Sequence, residues 1–140
     1  MLSQTVEYAL RAVVHLAQHA PKPQKTAEIA ATTQVPPAYL SKVLQGLRAK
    51  DIVKLQRGVG GGVTLAAAPA DLTILDVVNA VDPIKRITTC PLDLKSHGVR
   101  LCTLHRRMDN AIMEMERAFR STTLEELLKD PDQSVPLCDG

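Results

Sequence analysis

Two adjacent prolines, Pro36 and Pro37, interrupt a stretch that otherwise asks for helix. Proline lacks the backbone N–H and its ring clashes with the preceding turn, so no helix runs through such a pair. Upstream, Thr26 is placed to cap a short helix built from Ala27, Ile29, Ala30 and Ala31. The pattern breaks over Thr32 to Val35. Downstream, Pro37 suits the first turn of a second helix. That helix carries Leu40, Val43, Leu44 and Leu47 on one side. Its other side shows Ala38, Tyr39, Ser41, Lys42, Gln45 and Arg48. Ile52 to Leu55 then reads as a strand, Arg57 to Gly62 as a glycine turn, and Val63 to Leu65 as a returning strand. Helix, turn, helix, hairpin describes a winged helix-turn-helix. The second helix has the length and side chains to enter a DNA major groove. Pro37, Tyr39, Ser41 and Lys42 sit near its start, and Arg57 is placed to act from the hairpin, the wing.

The charge distribution agrees. Between Lys22 and Arg57 the bases are Lys22, Lys25, Lys42, Arg48, Lys50, Lys54 and Arg57, against Glu28 and Asp51. A local basic excess suits phosphate contact, with an ordinary solvated face as the alternative for any single residue. The whole chain carries only +2, so the basic character is local rather than global. Its 140 residues make one domain, or one domain with an extension. Aromatics are 2% and hydrophobic residues 45%, so the core must be aliphatic, which fits a mainly α protein with a small β-hairpin wing. Glu7 and Arg11 interrupt the N-terminal segment, and no 18-residue apolar run exists, so a soluble, cytoplasmic protein with no membrane partner is expected. Three cysteines in that compartment read as thiols or metal ligands.

Four regions are expected: a winged helix-turn-helix over 1–82, a cysteine-containing sensor loop over 83–102, a dimerisation helix with a short terminal helix over 103–130, and a tail over 131–140. The first helix, 3–19, has Ser3 as cap and Val6, Leu10, Val13, Val14 and Ala17 as its apolar stripe. Glu7 and Arg11 can pair outside. His15 and His19, four apart, have a spacing that can bind metal, but with no third ligand nearby they read as surface histidines. Thr73 caps a helix over 74–81, which Asp82-Pro83 stops. Residues 84–99 form a loop long enough to suggest function. The longest helix, 101–120, repeats Leu104, Met108, Ala111, Met115 and Ala118 at four and three, with Ile112 beside them. Leu104, Met108, Ile112 and Met115 are the expected dimer seam; packing on the helix's own domain is the alternative.

Cys102 and His105 stand at i and i+3 and share a face. Thiolate and imidazole both ligate iron and zinc, and thiolates hold iron–sulfur clusters. Lys95, Arg100, Arg106 and Arg107 surround the pair, a setting that favours ligation or oxidation of a thiol. Cys90 lies eleven intervening residues upstream, which is not a zinc-finger spacing. A cysteine-dependent enzyme with Cys102 as nucleophile and His105 as base is the remote alternative. No glycine-rich oxyanion element accompanies the pair, and the expectation is no catalysis.

VEYALRA (6–12), AEIA (27–30), Tyr39-Leu40 followed by a lysine, RGVGGGVTLA (57–66), LTILDVVNAVD (72–82), Cys90 and CTLH (102–105) together resemble the Rrf-two (BadM-type) family of bacterial winged-helix regulators. The resemblance reaches to about Lys129. It implies a homodimer that binds double-stranded operator DNA, acting as a repressor with a redox-, nitric-oxide- or iron–sulfur-responsive cysteine loop. In cluster-binding members the loop cysteines hold the cluster, and a further ligand comes from a histidine after the last cysteine or from the first helix. On that pattern Cys90 and Cys102 match the first and last cysteines, His105 the histidine, and Glu7 a first-helix carboxylate. The central cysteine is absent, with His97 lying between the two that remain. Two cysteines with two other ligands suit a two-iron cluster better than a four-iron one. The same departure accommodates a regulator without a cluster, sensing thiol oxidation or another ligand.

Overall fold

A computed structural model describes residues 2–89 and 100–130. Its helices are α1 (Gln4–His19), α2 (Thr26–Thr33), α3 (Pro37–Ala49), α4 (Ile74–Val81), α5 (Thr103–Arg120) and α6 (Leu124–Lys129). One antiparallel hairpin, β1 (Val53–Gln56) with β2 (Gly62–Leu65), stands between α3 and α4, followed by a 3-10 turn at Pro69–Asp71. The fold is thus mainly helical with a two-stranded wing.

Helix α1 is the centre. Ser3 caps it by accepting from the Val6 N–H at 3.3 Å. It packs against α2, α3, α4 and β2, and Ala12 through Ala17 are all buried. Helix α2 ends where Gln34 takes a left-handed conformation (φ 56°) and Val35 N–H reaches back to Ala30 O at 3.3 Å. Pro36 and Pro37 then open α3 in a new direction, with Leu40, Val43, Leu44 and Leu47 buried on α1. The exit of α3 is a Schellman turn: Ile52 N–H bonds Leu47 O at 2.9 Å and Asp51 N–H bonds Arg48 O at 3.0 Å, with Asp51 at φ 60° in the left-handed position. Ile52 therefore belongs to the helix exit, which moves the first strand one residue later than the sequence suggests.

The hairpin register pairs Val53 with Leu65 and Gln56 with Gly62. Gly58 (φ 91°) and Gly60 (φ 78°) make the turn in conformations that side chains resist. At the wing base Gln24 pairs through both backbone groups with Val63, at 2.9 and 2.8 Å. A capping box between Thr73 and Asp76 starts α4.

Helix α5 differs from the rest in having no buried residue. After it the chain returns to the body: Ile74 N–H bonds Thr122 O at 3.0 Å and Leu124 N–H bonds Leu72 O at 2.9 Å. Leu124 is fully buried in the same core as α1 and α3. Among the described residues no helix is long and apolar enough to cross a membrane.

Candidate nucleic-acid interface and cysteine–histidine site

The outward face of α3 carries Ala38, Tyr39, Ser41, Lys42, Gln45 and Arg48, all exposed. Pro36 supplies no side-chain cap and the first turn holds no acid. The free N–H groups and the positive end of the helix dipole at this turn stay available to an anion. Tyr39 is held rather than loose: its ring meets Tyr8 of α1 edge-on, centroids 5.8 Å apart. The Arg11 guanidinium lies 5.6 Å from the Tyr8 ring centroid, pairs with Glu7 at 3.1 Å, and donates to Thr33 O at 3.3 Å. Arg11 thereby ties α1 to the end of α2, which fixes the turn that aims α3.

On the wing, Lys54, Leu55, Gln56 and Arg57 are exposed, and Val59 stands fully out at the tip between glycines. Lys42, Arg48, Lys54 and Arg57 have no ion-pair partner among the described residues. Pro37, Tyr39, Ser41, Lys42 and Arg57 therefore lie on exposed parts of the helix and wing. Arg48, Gln45 and Lys54 join them, and Val59 is the one apolar tip residue; its signal was the glycine on either side.

Behind the wing, His15 corrects the sequence expectation. It is 2% exposed rather than a surface residue. Gln24 spends its amide N–H groups on Lys22 O and Pro23 O, at 3.3 and 3.2 Å. Its Oε1 is therefore the acceptor of the His15 Nε2–H at 3.2 Å, leaving His15 Nδ1 bare and buried without a partner. Burial first, then the neighbouring His19, pushes the His15 pKa below its ordinary value. His19 Nδ1–H donates to His15 O at 2.8 Å, so the two histidines serve the helix rather than a metal. Gln24, a lone polar residue between prolines and a lysine, gave no sequence signal that it joins α1 to the wing base.

Cys102 is the N-cap of α5, and its Sγ lies 3.1 Å from His105 Nδ1. The pair expected from the i, i+3 spacing is in contact and half-buried. A thiol and an imidazole this close fit one side of an iron or zinc ion. Glu7 does not join them: it is exposed and paired with Arg11 on α1, and no group of three or more candidate metal ligands forms among the described residues. Cys90, His97 and Cys138 lie outside the described residues. Along α5, Leu104 and Met108 are 63% and 47% exposed. Ile112 and Met115 are half-buried, lining an open cleft with Leu2, Val6, Val78 and Ile84.

Comparison with known proteins gives the family. The Rrf2 family model, described as iron-dependent transcriptional regulator, matches residues 2–130. The chain is similar to the HTH-type transcriptional regulator NsrR of Bacillus subtilis, 27% identical over 139 residues covering 97% of this chain and 95% of that one. Among solved structures, CymR, the global cysteine regulator of B. subtilis, superposes with a TM-score of 0.74 at 25% identity, covering 91% of this chain and 95% of that one. IscR of T. potens superposes with a TM-score of 0.78 at 23% identity over 100% of this chain and 93% of that one, a likeness of fold. These relatives are transcriptional regulators, not enzymes. With its helix-turn-helix, glycine-turned wing and outlying α5, the chain belongs to the Rrf2 family of DNA-binding transcriptional regulators.

Proposed function

We propose that this regulator is a cytoplasmic homodimeric repressor that grips operator DNA with α3 and the wing, and whose grip responds to chemistry at Cys102, His105 and Cys90. The carrying observation is the set of exposed bases without ion-pair partners among the described residues, Lys42 and Arg48 on α3 with Lys54 and Arg57 on the wing. In this reading Tyr39, Ser41 and the α3 N-terminus sit at base edges and phosphates, where recognition helices meet DNA. Leu104, Met108, Ile112 and Met115 are the seam between protomers, a stripe exposed at Leu104 and Met108 and half-buried at Ile112 and Met115, which a second copy would cover.

For the sensing site, Cys90, Cys102 and His105 would hold a two-iron cluster, with Glu7 as the fourth ligand once it leaves Arg11. A bound cluster supplies redox chemistry there. Cys102 caps α5, so ligation at its Sγ acts on the first turn of the proposed dimer helix. A second reading, thiol oxidation without a cluster, is favoured by the direct 3.1 Å contact of Cys102 Sγ with His105 Nδ1. Anaerobic purification with a visible spectrum, iron and sulfide analysis, and salt-titrated binding to genomic fragments tests both readings. Cys102→Ser is expected to remove bound iron and change DNA affinity, and Cys138→Ser to do neither. Metal-free anaerobic protein whose Cys90→Ser/Cys102→Ser variant binds DNA alike under oxidising and reducing conditions removes the sensing role.

A further inference from the structure

The connector leaving α4 is pinned to α5 chiefly through one carboxylate, that of Asp109. Arg86 meets Asp109 with both sides of its fork: Nε donates to Oδ1 at 2.7 Å and Nη2 to Oδ2 at 2.6 Å. The Ile87 backbone N–H donates to the same Oδ1 at 2.8 Å. Arg86 Nη1 also reaches Glu116 Oε1 at 3.4 Å. The side chains of Asp109 and Glu116 are 14% and 17% exposed, against 38% for Arg86. Exposed ion pairs contribute little, but a bidentate pair with a largely shielded carboxylate and a backbone donor is of the stronger kind.

The position of this clamp gives it leverage. Helix α5 buries no residue of its own, so few contacts decide how it sits. Among the described residues they include partial packing on α4, the cleft that Ile112 and Met115 share with Leu2 and Val6, the clamp, and the return through Thr122 and Leu124. Asp109 and Glu116 are seven apart and share one helix face, each next to a residue of the proposed seam, the exposed Met108 and the half-buried Met115. Holding that face to the connector sets which way the stripe points.

We infer that Asp109 determines operator specificity by fixing the tilt and rotation of α5 on the winged-helix body, and with them the half-site spacing a dimer accepts. This rests on the dimeric reading above. Half-sites recur at about 34 Å, so each recognition helix lies about 17 Å from the dimer axis. A tilt of α5 shifts each recognition helix along the DNA in proportion to its distance from the α5 seam, and the two protomers' shifts add against a base-pair step of about 3.4 Å. DNA does not stretch to follow, so a loosened clamp spreads the preference over neighbouring spacings.

Selection from random-sequence duplex DNA with wild type, Asp109→Asn, Arg86→Gln and Glu114→Gln tests this. Asp109→Asn keeps the shape of the side chain, and Arg86→Gln leaves Asp109 in place. Among the described residues Glu114 pairs only with Arg117 of its own helix, and it is the control. Wild type and the control are expected to recover two half-sites at one spacing. Asp109→Asn and Arg86→Gln are expected to recover the same half-site sequence at several spacings. They should bind the wild-type duplex about tenfold more weakly, with unchanged affinity for a duplex holding one half-site. Unchanged spacing in both variants overturns the inference, as does an equal loss on the single half-site. Wild type that recovers only single half-sites overturns the dimeric reading, and the inference with it.

Discussion

His15 shows how one side chain can serve the wing from inside. Its Nε2–H holds Gln24, whose backbone holds Val63 at the foot of β2. Its native pKa is lowered, by burial first and then by His19, while Gln24 and Glu28 oppose the shift. Between that lowered pKa and about 6.5 the unfolded chain binds more protons than the native protein. Stability from this group is therefore complete above about pH 6.5 and is lost as pH falls from there through the native pKa. Urea unfolding from pH 7.5 to pH 5 should show that slope, and His15→Gln should flatten it. An equally steep slope in the variant would place the titration elsewhere. The sequence points His15 outward because the stripe Val6, Leu10, Val13, Val14 and Ala17 gives α1 a single apolar side. A helix surrounded by α2, α3, α4 and β2 has no outer face over Ala12 to Ala17. The Cys102–His105 contact was legible, because i, i+3 neighbours on a helix meet whatever packs around them. The Tyr8–Tyr39 and Arg86–Asp109 contacts were not, since they join elements far apart in sequence.

At the level of elements, local chemistry set most boundaries. Pro36-Pro37 divided α2 from α3, Thr73 with Asp76 opened α4, and the glycines turned the hairpin. Gly62 carries a constraint the sequence did not show: it sits at φ 148°, and a Cβ there would stand 2.7 Å from Gln24 O. Gly62→Ala must therefore push the linker off the wing. We expect a loss of about 1–3 kcal/mol in urea unfolding and faster amide exchange at Val63, whose N–H bonds Gln24 O at 2.8 Å. Gly58→Ala also meets a positive φ but open space, so its amide-exchange effect should stay within the turn. Equal exchange at Val63 in wild type and Gly62→Ala would show that the linker tolerates the shift.

For the whole molecule, the contrast is between a closed core and an open α5. Ala9, Ala12, Val13, Leu40, Leu47 and Leu124 are fully buried, while Leu104 and Met108 on α5 face outward. The heptad-like spacing foretold an amphipathic helix; which surface covers it lies beyond the reach of one chain's sequence. Met108→Glu is expected to give monomers by light scattering at micromolar concentration and to abolish operator binding, since truncating a buried methionine alone costs roughly 2–5 kcal/mol. Wild-type protein that is itself monomeric there contradicts the seam. The DNA-facing surface is tested most directly by the salt dependence of DNA binding for wild type and Lys42→Ala/Arg57→Ala. Each lost phosphate contact lowers the slope of log affinity against log salt by about one. The account predicts weaker binding and a slope smaller by about two in the double variant. An unchanged affinity and slope would contradict it and move the DNA off α3 and the wing.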